Sequence, residues 1–164
     1  MELALDITND DWNLLEQPQR LIRSAVDAAF EAASFRADDI ELSIVLADDK
    51  FVSELNQRWR NKSGPTNVLS FPVGGEFALG EGEPRFLGDI VMASGVVICQ
   101  ADKAGKPLAT HISHLIVHGV LHLLGYDHQN DEAARRMQAI ETAAMVLLGL
   151  PDPYLEHEET AAAS

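Results

Sequence analysis

The chain has 164 residues, 46% of them hydrophobic and 23% charged. That size and balance suit one globular domain with its own core, and exclude a disordered, collagen-like or disulfide-stapled chain. Twelve Lys and Arg against 26 Asp and Glu give a net charge of −14, which argues against holding nucleic acid by charge over the whole surface.

Taken in chain order, LALDI (3–7) is a short apolar run consistent with a strand. Pro18 suits the first turn of a helix. After it, Leu21, Ile22, Ala25, Val26, Ala29 and Phe30 recur at helical spacing, which predicts an amphipathic helix over 18–33. ELSIVLA (41–47) reads as a second strand, and Asp48 is placed to cap a helix in which Phe51, Val52, Leu55 and Trp59 share one face. Gly64-Pro65 breaks that helix, and NVLSF (67–71) reads as a strand. The stretch 73–85, with Gly74, Gly75, Gly80, Gly82 and Pro84, reads as a loop, and FLGDIVMA (86–93) as a further strand.

Helices are then expected from Ser94 to Ala104 before Gly105, and from Leu108 to Leu124 before Gly125. Asp131 is placed to cap a last helix reaching Leu148, with Gly149-Leu150-Pro151 as its stop signal. Strands and helices interleave without a linker. Residues 1–155 are therefore expected to form a single α+β domain, a small mixed sheet of about four strands packed with about five helices. The tail EHEETAAAS (156–164) is expected to be disordered. No run approaches the ~20 apolar residues of a membrane span. The acidic opening MELALDITNDDW lacks a basic leader region, and the single Cys99 excludes an internal disulfide. A reduced, cytoplasmic protein with no membrane partner is expected.

The densest chemistry lies in HISHLIVHGVLHLLGYDH (111–128). At 100° per residue, His111, His114, His118 and His122 fall within an arc of about 80°, while aliphatic residues fill the rest of the circumference. Such a helix is buried, with one imidazole stripe facing something polar. His118 and His122 stand one turn apart, so both rings reach one metal, and Gly125 can turn the chain to bring in His128. Three neutral imidazoles with an open fourth position are the ligand set of a catalytic zinc site, with one zinc per chain. His111 reads more simply as a core histidine satisfied by hydrogen bonding. His114 is open between a role in the cleft and plain packing, and Asp127 between orienting a ligand ring and being an exposed turn residue. The spacing also fits the protease pattern HExxHxxGxxH, but Gly119 stands where the glutamate base belongs. Losing a positioned base costs ~10²–10⁴-fold, so peptide hydrolysis is not expected.

Residues 51–75 are the one stretch with net positive charge, Arg58, Arg60 and Lys62 against Glu54. A guanidinium holds phosphate oxygens bidentately and offsets charge in a transition state. Arg58 and Lys62 read as a solvated helix face, whereas an arginine near a zinc site makes a phosphate clamp.

LNQRWRNKSGPTNVLSFP (55–72), FLGDIVMA (86–93) and HLIVHGVLHLLGYDH (114–128) together closely resemble the YbeY family of bacterial ribosomal RNA maturation factors. The resemblance runs from about residue 38 to Tyr154, including MQAIETAAMVLLGLPDPY (137–154); the first 37 residues match only in pattern. It implies a zinc-dependent endoribonuclease specific for single-stranded RNA, which matures the 3′ end of 16S ribosomal RNA and serves late 70S ribosome quality control. The family's zinc ligands fall on His118, His122 and His128, its functional arginine on Arg60, and a neighbouring small polar position loosely on Arg58. The expected partners are the 16S precursor and the small ribosomal subunit or a protein on it, with no DNA.

In this scheme zinc would lower the pKa of water towards ~7 and polarise a phosphoryl oxygen, Arg60 would hold the scissile phosphate, and His114 is the nearest candidate for a base. Two other readings stand beside it: a non-catalytic, zinc-stabilised ribosome assembly factor, suggested by the net charge, and a peptidase-like zinc hydrolase without the usual glutamate.

Overall fold

A computed structural model describes residues 1–73 and 85–154 of the chain. The glycine-rich stretch 74–84 and the tail from 155, expected as loop and as disorder, lie outside the described residues. Among the described residues the elements run β1 (Glu2–Ile7), α1 (Pro18–Ala32), β2 (Ile40–Ala47), α2 (Asp49–Arg60), β3 (Val68–Pro72), β4 (Arg85–Ala93), α3 (Ser94–Ala104), α4 (Leu108–Leu123) and α5 (Asp131–Leu147). These are the four strands and five helices of the α+β fold that the sequence pattern leads one to expect.

The strands form one mixed sheet in the order β1-β2-β4-β3. β1 pairs parallel with β2 and β2 parallel with β4, while β3 lies antiparallel along the outer edge of β4. Period-two alternation sends Ile40, Leu42, Ile44 and Leu46 of β2, with Ile90 and Met92 of β4, into the main core. There they meet α1 through Ile22, Val26 and Phe30, and α4 through Ile112, Ile116, Val120 and Leu121, all buried. α4 is thus covered on most of its circumference, as an almost wholly apolar helix requires. The opposite sheet face offers a smaller patch, Leu69, Val91 and Ala93 beside Ala47, and α2 covers it with Val52.

Three details differ from the sequence expectation. A short 3-10 helix at Asp10–Leu14, which the pattern does not announce, folds Trp12 into the core, where its Nε1–H donates to the Ala47 carbonyl at 3.0 Å. α5 is capped by Asn130 rather than Asp131: the Asn130 side chain accepts from the Ala133 N–H at 2.8 Å, and Asp131 already lies in the first turn. On α2 the buried pair is Val52 and Asn56, while Phe51 (44% exposed) and Trp59 (64%) face outward, because the small patch beneath cannot cover a four-residue stripe.

β4 carries a bulge: Glu41 pairs with Phe86 and Leu42 with Gly88, which leaves Leu87 out of step. Gly88 has φ +145°, and the Phe71 carbonyl occupies the space a Cβ would need. Only glycine lets β3 come this close, and β3 carries one wall of the cleft described next.

Candidate metal centre and phosphate cleft

The histidines owe their positions to α4 and to the turn that ends it. Gly125, at φ +99°, donates its N–H to the His122 carbonyl at 3.0 Å, and the Tyr126 N–H reaches the Leu121 carbonyl at 3.0 Å. The chain reverses there and carries His128 back beside the helix. The Asp127 carboxylate accepts from the Gln129 N–H at 3.3 Å, so it serves the turn rather than a histidine ring.

One nitrogen from each of His118, His122 and His128 lies within 4.8 Å of the others. The Nε2 atoms of His118 and His122 are 3.0 Å apart. Two nitrogens bound tetrahedrally at about 2.0–2.1 Å from zinc stand about 3.3 Å from each other, so the spacing fits a shared ion. Burial lowers the pKa of His122 to about 4, and the neighbouring His118 and His128 push the same way. The ring is therefore neutral near pH 7, the form that ligates metal. This cluster could hold a metal ion.

Behind it stands Glu141 of α5, 1% exposed, in the same helical row as Met137, Ala144 and Met145. Its Oε1 accepts from His118 Nδ1–H at 2.7 Å, and its Oε2 from His114 Nε2–H at 2.8 Å and from the Tyr154 hydroxyl. Burial works to raise the carboxyl pKa, but the hydrogen bonds from His114, His118 and Tyr154 outweigh it and hold Glu141 down at about 2. An ionised carboxylate only accepts, so both rings must donate to it. That fixes the His118 tautomer and turns the Nε2 lone pair outward to the cluster. Burial, followed by the hydrogen bond to Glu141, raises the Tyr154 pKa, so its hydroxyl stays protonated and donating.

His111, although on the same stripe, points elsewhere and pairs with Gln100 Oε1 at 3.1 Å. It is the hydrogen-bonded histidine that its sequence context suggests. Gly119 is pressed against the sheet, where a Cβ would meet Ile90 and Ser70 at 3.1–3.3 Å. A glutamate there would force the Ile90 and Ser70 side chains to shift, so this packing favours the glycine that stands where the protease base belongs.

Arg60 closes the other side. Its Nη2 donates to the Ser70 carbonyl at 3.1 Å and its guanidinium lies 6.0 Å from the Phe71 ring centre. The Ser70 hydroxyl donates to the Gly119 carbonyl at 3.4 Å, which ties the arginine's anchor to the histidine helix. Buried Asn56 secures the approach, donating from Nδ2 to the Gly64 carbonyl at 2.9 Å. Arg60, His114 and the three clustered histidines all line one cleft of about 590 Å³. Arg58 and Lys62 are exposed outside it. The sequence pattern marks the histidines and Arg60 but not Glu141, Tyr154 or Ser70. For Glu141 a signal exists, a lone acidic residue in an apolar helical row, whereas Tyr154 and Ser70 show none.

The fold and site define an α+β protein whose cleft brings together three histidines that could hold a metal ion and an arginine on its rim. The chain belongs to the YbeY family, whose model, described as Endoribonuclease YbeY, matches residues 6–149. The match takes in most of the N-terminal segment as well as the core motifs. A Paramagnetospirillum magneticum protein named Endoribonuclease YbeY is 46% identical over 95% of this chain and 97% of its own. One of the same name from Bradyrhizobium diazoefficiens is 42% identical over 94% of this chain and 85% of its own. The fold recurs in the solution structure of a Thermotoga maritima protein, 20% identical, with a TM-score of 0.55 over 88% of this chain and 89% of that one. No helix among the described residues is long and apolar enough to cross a membrane.

Proposed function

We propose that residues 1–155 form one domain that cleaves single-stranded RNA internally, with one zinc ion per chain on His118, His122 and His128. The observation that carries this reading is the meeting of Arg60 and the histidine cluster in one cleft, in a chain whose relatives bear the name endoribonuclease. Bound zinc supplies a Lewis acid that acidifies water and polarises a phosphoryl oxygen. Arg60 binds the scissile phosphate and offsets the charge that builds up on it. Glu141 holds His118 in its ligating tautomer. His114 lines the same cleft as Arg60, its Nε2–H given to Glu141, so Nδ1 is its one nitrogen left to take up a proton.

The substrate we assign is the precursor of 16S ribosomal RNA at its 3′ end, in the cytoplasm, as part of late 70S quality control. A chain of net charge −14 exerts little long-range pull on RNA, so the small subunit or a protein on it delivers the substrate. Full-length, zinc-loaded protein is to be tested on single-stranded RNA, duplex RNA and an unfolded protein, as wild type, His118→Ala and Arg60→Ala. Cleavage of single-stranded RNA alone is expected. His118→Ala should lose zinc and activity together, and Arg60→Ala should keep zinc and lose about 10²–10³-fold in rate. Peptide cleavage, or full activity of Arg60→Ala, contradicts the scheme. Mapping 16S 3′ ends in depleted cells then separates catalysis from assembly: rescue by Arg60→Ala would favour a non-catalytic assembly role.

A further inference from the structure

The mechanism above leaves Trp59 unused. It is the more exposed of the two tryptophans, at 64% against 1% for Trp12, and it sits in the one net-positive stretch of the chain. A lone exposed aromatic is ordinary on a protein surface, and what surrounds this one is not. Arg58 lies with its guanidinium 5.5 Å from the indole centre, and the next residue along the chain is Arg60, which lines the cleft. Consecutive residues of a helix project about 100° apart, so the indole lies outside the cleft while Arg60 of the same turn lines it, and a strand whose phosphate Arg60 holds can continue over the indole. Among the described residues Arg58 is the one group stacked on the ring. The turn that follows is held by Asn56, whose backbone carbonyl accepts from the Lys62 N–H at 3.2 Å and whose side chain bonds Gly64, so the end of α2 that carries the indole is tied to the turn leading into β3.

We propose that Trp59, with Arg58 against its ring, is a stacking site for one unpaired nucleobase of the strand whose phosphate Arg60 holds. The inference rests on the proposed ribonuclease function and adds a source of strand selectivity to it. Every base has a π-face, so stacking tolerates sequence, but a base inside a duplex is already stacked and cannot lie on the indole. Arg58 backs the ring and offers its charge to the neighbouring phosphate. The charge complementarity of Arg58, Arg60 and Lys62 selects a nucleic-acid strand over an apolar protein partner for this surface.

The test is to titrate full-length, zinc-loaded protein with a short single-stranded RNA, with a blunt RNA duplex, and with strands carrying one abasic residue at successive positions. Wild type, Trp59→Ala and Trp59→Phe are compared. Trp59→Ala is expected to bind the single strand about 5- to 150-fold more weakly, with Trp59→Phe restoring most of the loss, duplex binding unchanged and zinc content intact. One abasic position should weaken wild type by a similar factor and Trp59→Ala no further. Because Trp12 is buried, quenching of wild-type tryptophan emission by the strand reports the contact directly, and Trp59→Phe should abolish it. Unchanged affinity in Trp59→Ala, or a loss that couples to no single base position, overturns the inference alone and reassigns the indole to a protein contact. Wild-type protein that neither binds nor cleaves the strand overturns the proposed function, and this inference with it.

Discussion

Glu141 lies thirteen residues past the last clustered histidine and on another helix, yet it determines which nitrogen of His118 faces the cluster. Replacing it with glutamine keeps the shape and removes the charge that three donors converge on. Glu141→Gln is expected to weaken metal binding about 10–100-fold, measured by competition with a chelator of known affinity. An unchanged affinity would mean that His118 finds its tautomer without help. His118, His122 and His128 were legible in the sequence because helical period and a glycine turn relate them locally. Glu141 and Tyr154 were not, because their meeting with His118 depends on how α5 lies against α4. Arg60 lies between: its residue type suggested phosphate, but only β3, through the Ser70 carbonyl, brings it to the cleft. The pairing of His111 with Gln100 was open to a guess in kind but not in partner.

Among the elements, most helices and strands fall within a residue or two of where periodicity and stop signals put them, since those signals are local; α2 is the exception, ending at Arg60 with Asn61 as its left-handed cap, ahead of the Gly64-Pro65 break. Strand order is not local, and nothing in NVLSF says that it runs antiparallel along β4 at the sheet's edge. A glycine inside FLGDI is a sign of a bulge, and here the bulge sets how β3 docks. Gly88→Ala puts a methyl group into the Phe71 carbonyl at a φ that L-residues avoid. We expect a loss of about 2–4 kcal/mol in stability, read as a lower urea midpoint. Because β3 also anchors Arg60, RNA cleavage should fall more than zinc affinity in the same variant. Equal stability of Gly88→Ala and wild type would show that β3 can retreat from β4 at no cost. The helix α2 teaches the complementary lesson: its four apolar residues read as one buried face, but a helix buries only what its neighbour can cover.

For the molecule as a whole, acid is the vulnerable side. His111 is held at about 4 by burial first, then by His114 and Lys106, and His122 at about 4, both against an ordinary 6.5. The unfolded chain therefore takes up protons that the folded chain refuses between those values, so stability is full above pH 6.5 and falls towards pH 4. Glu141, at about 2 against 4.5, adds a second loss as the pH drops below 4.5. Urea midpoints of metal-free protein should decline across both windows, and a flat profile from pH 7 to 4 would contradict the burial of these rings. Charge sets a second expectation. With three cations beside the cleft and −14 overall, single-stranded RNA binding should show a log–log salt slope of about −2, near −0.7 per phosphate contact. A slope twice as steep would place further contacts outside this surface.

The hydroxyl of Tyr154, donated to Glu141, gives the site a place in time as well as in space. A chain made from its N-terminus lays down the arginine first, then the three ligating rings, then the carboxylate, and this phenol last. While residues up to His128 are already outside the ribosome, those that hold His118 in register are still being added or are hidden in the exit tunnel. A nascent chain exposed only as far as His128 therefore carries the ligating rings without the carboxylate and phenol that hold His118 in register.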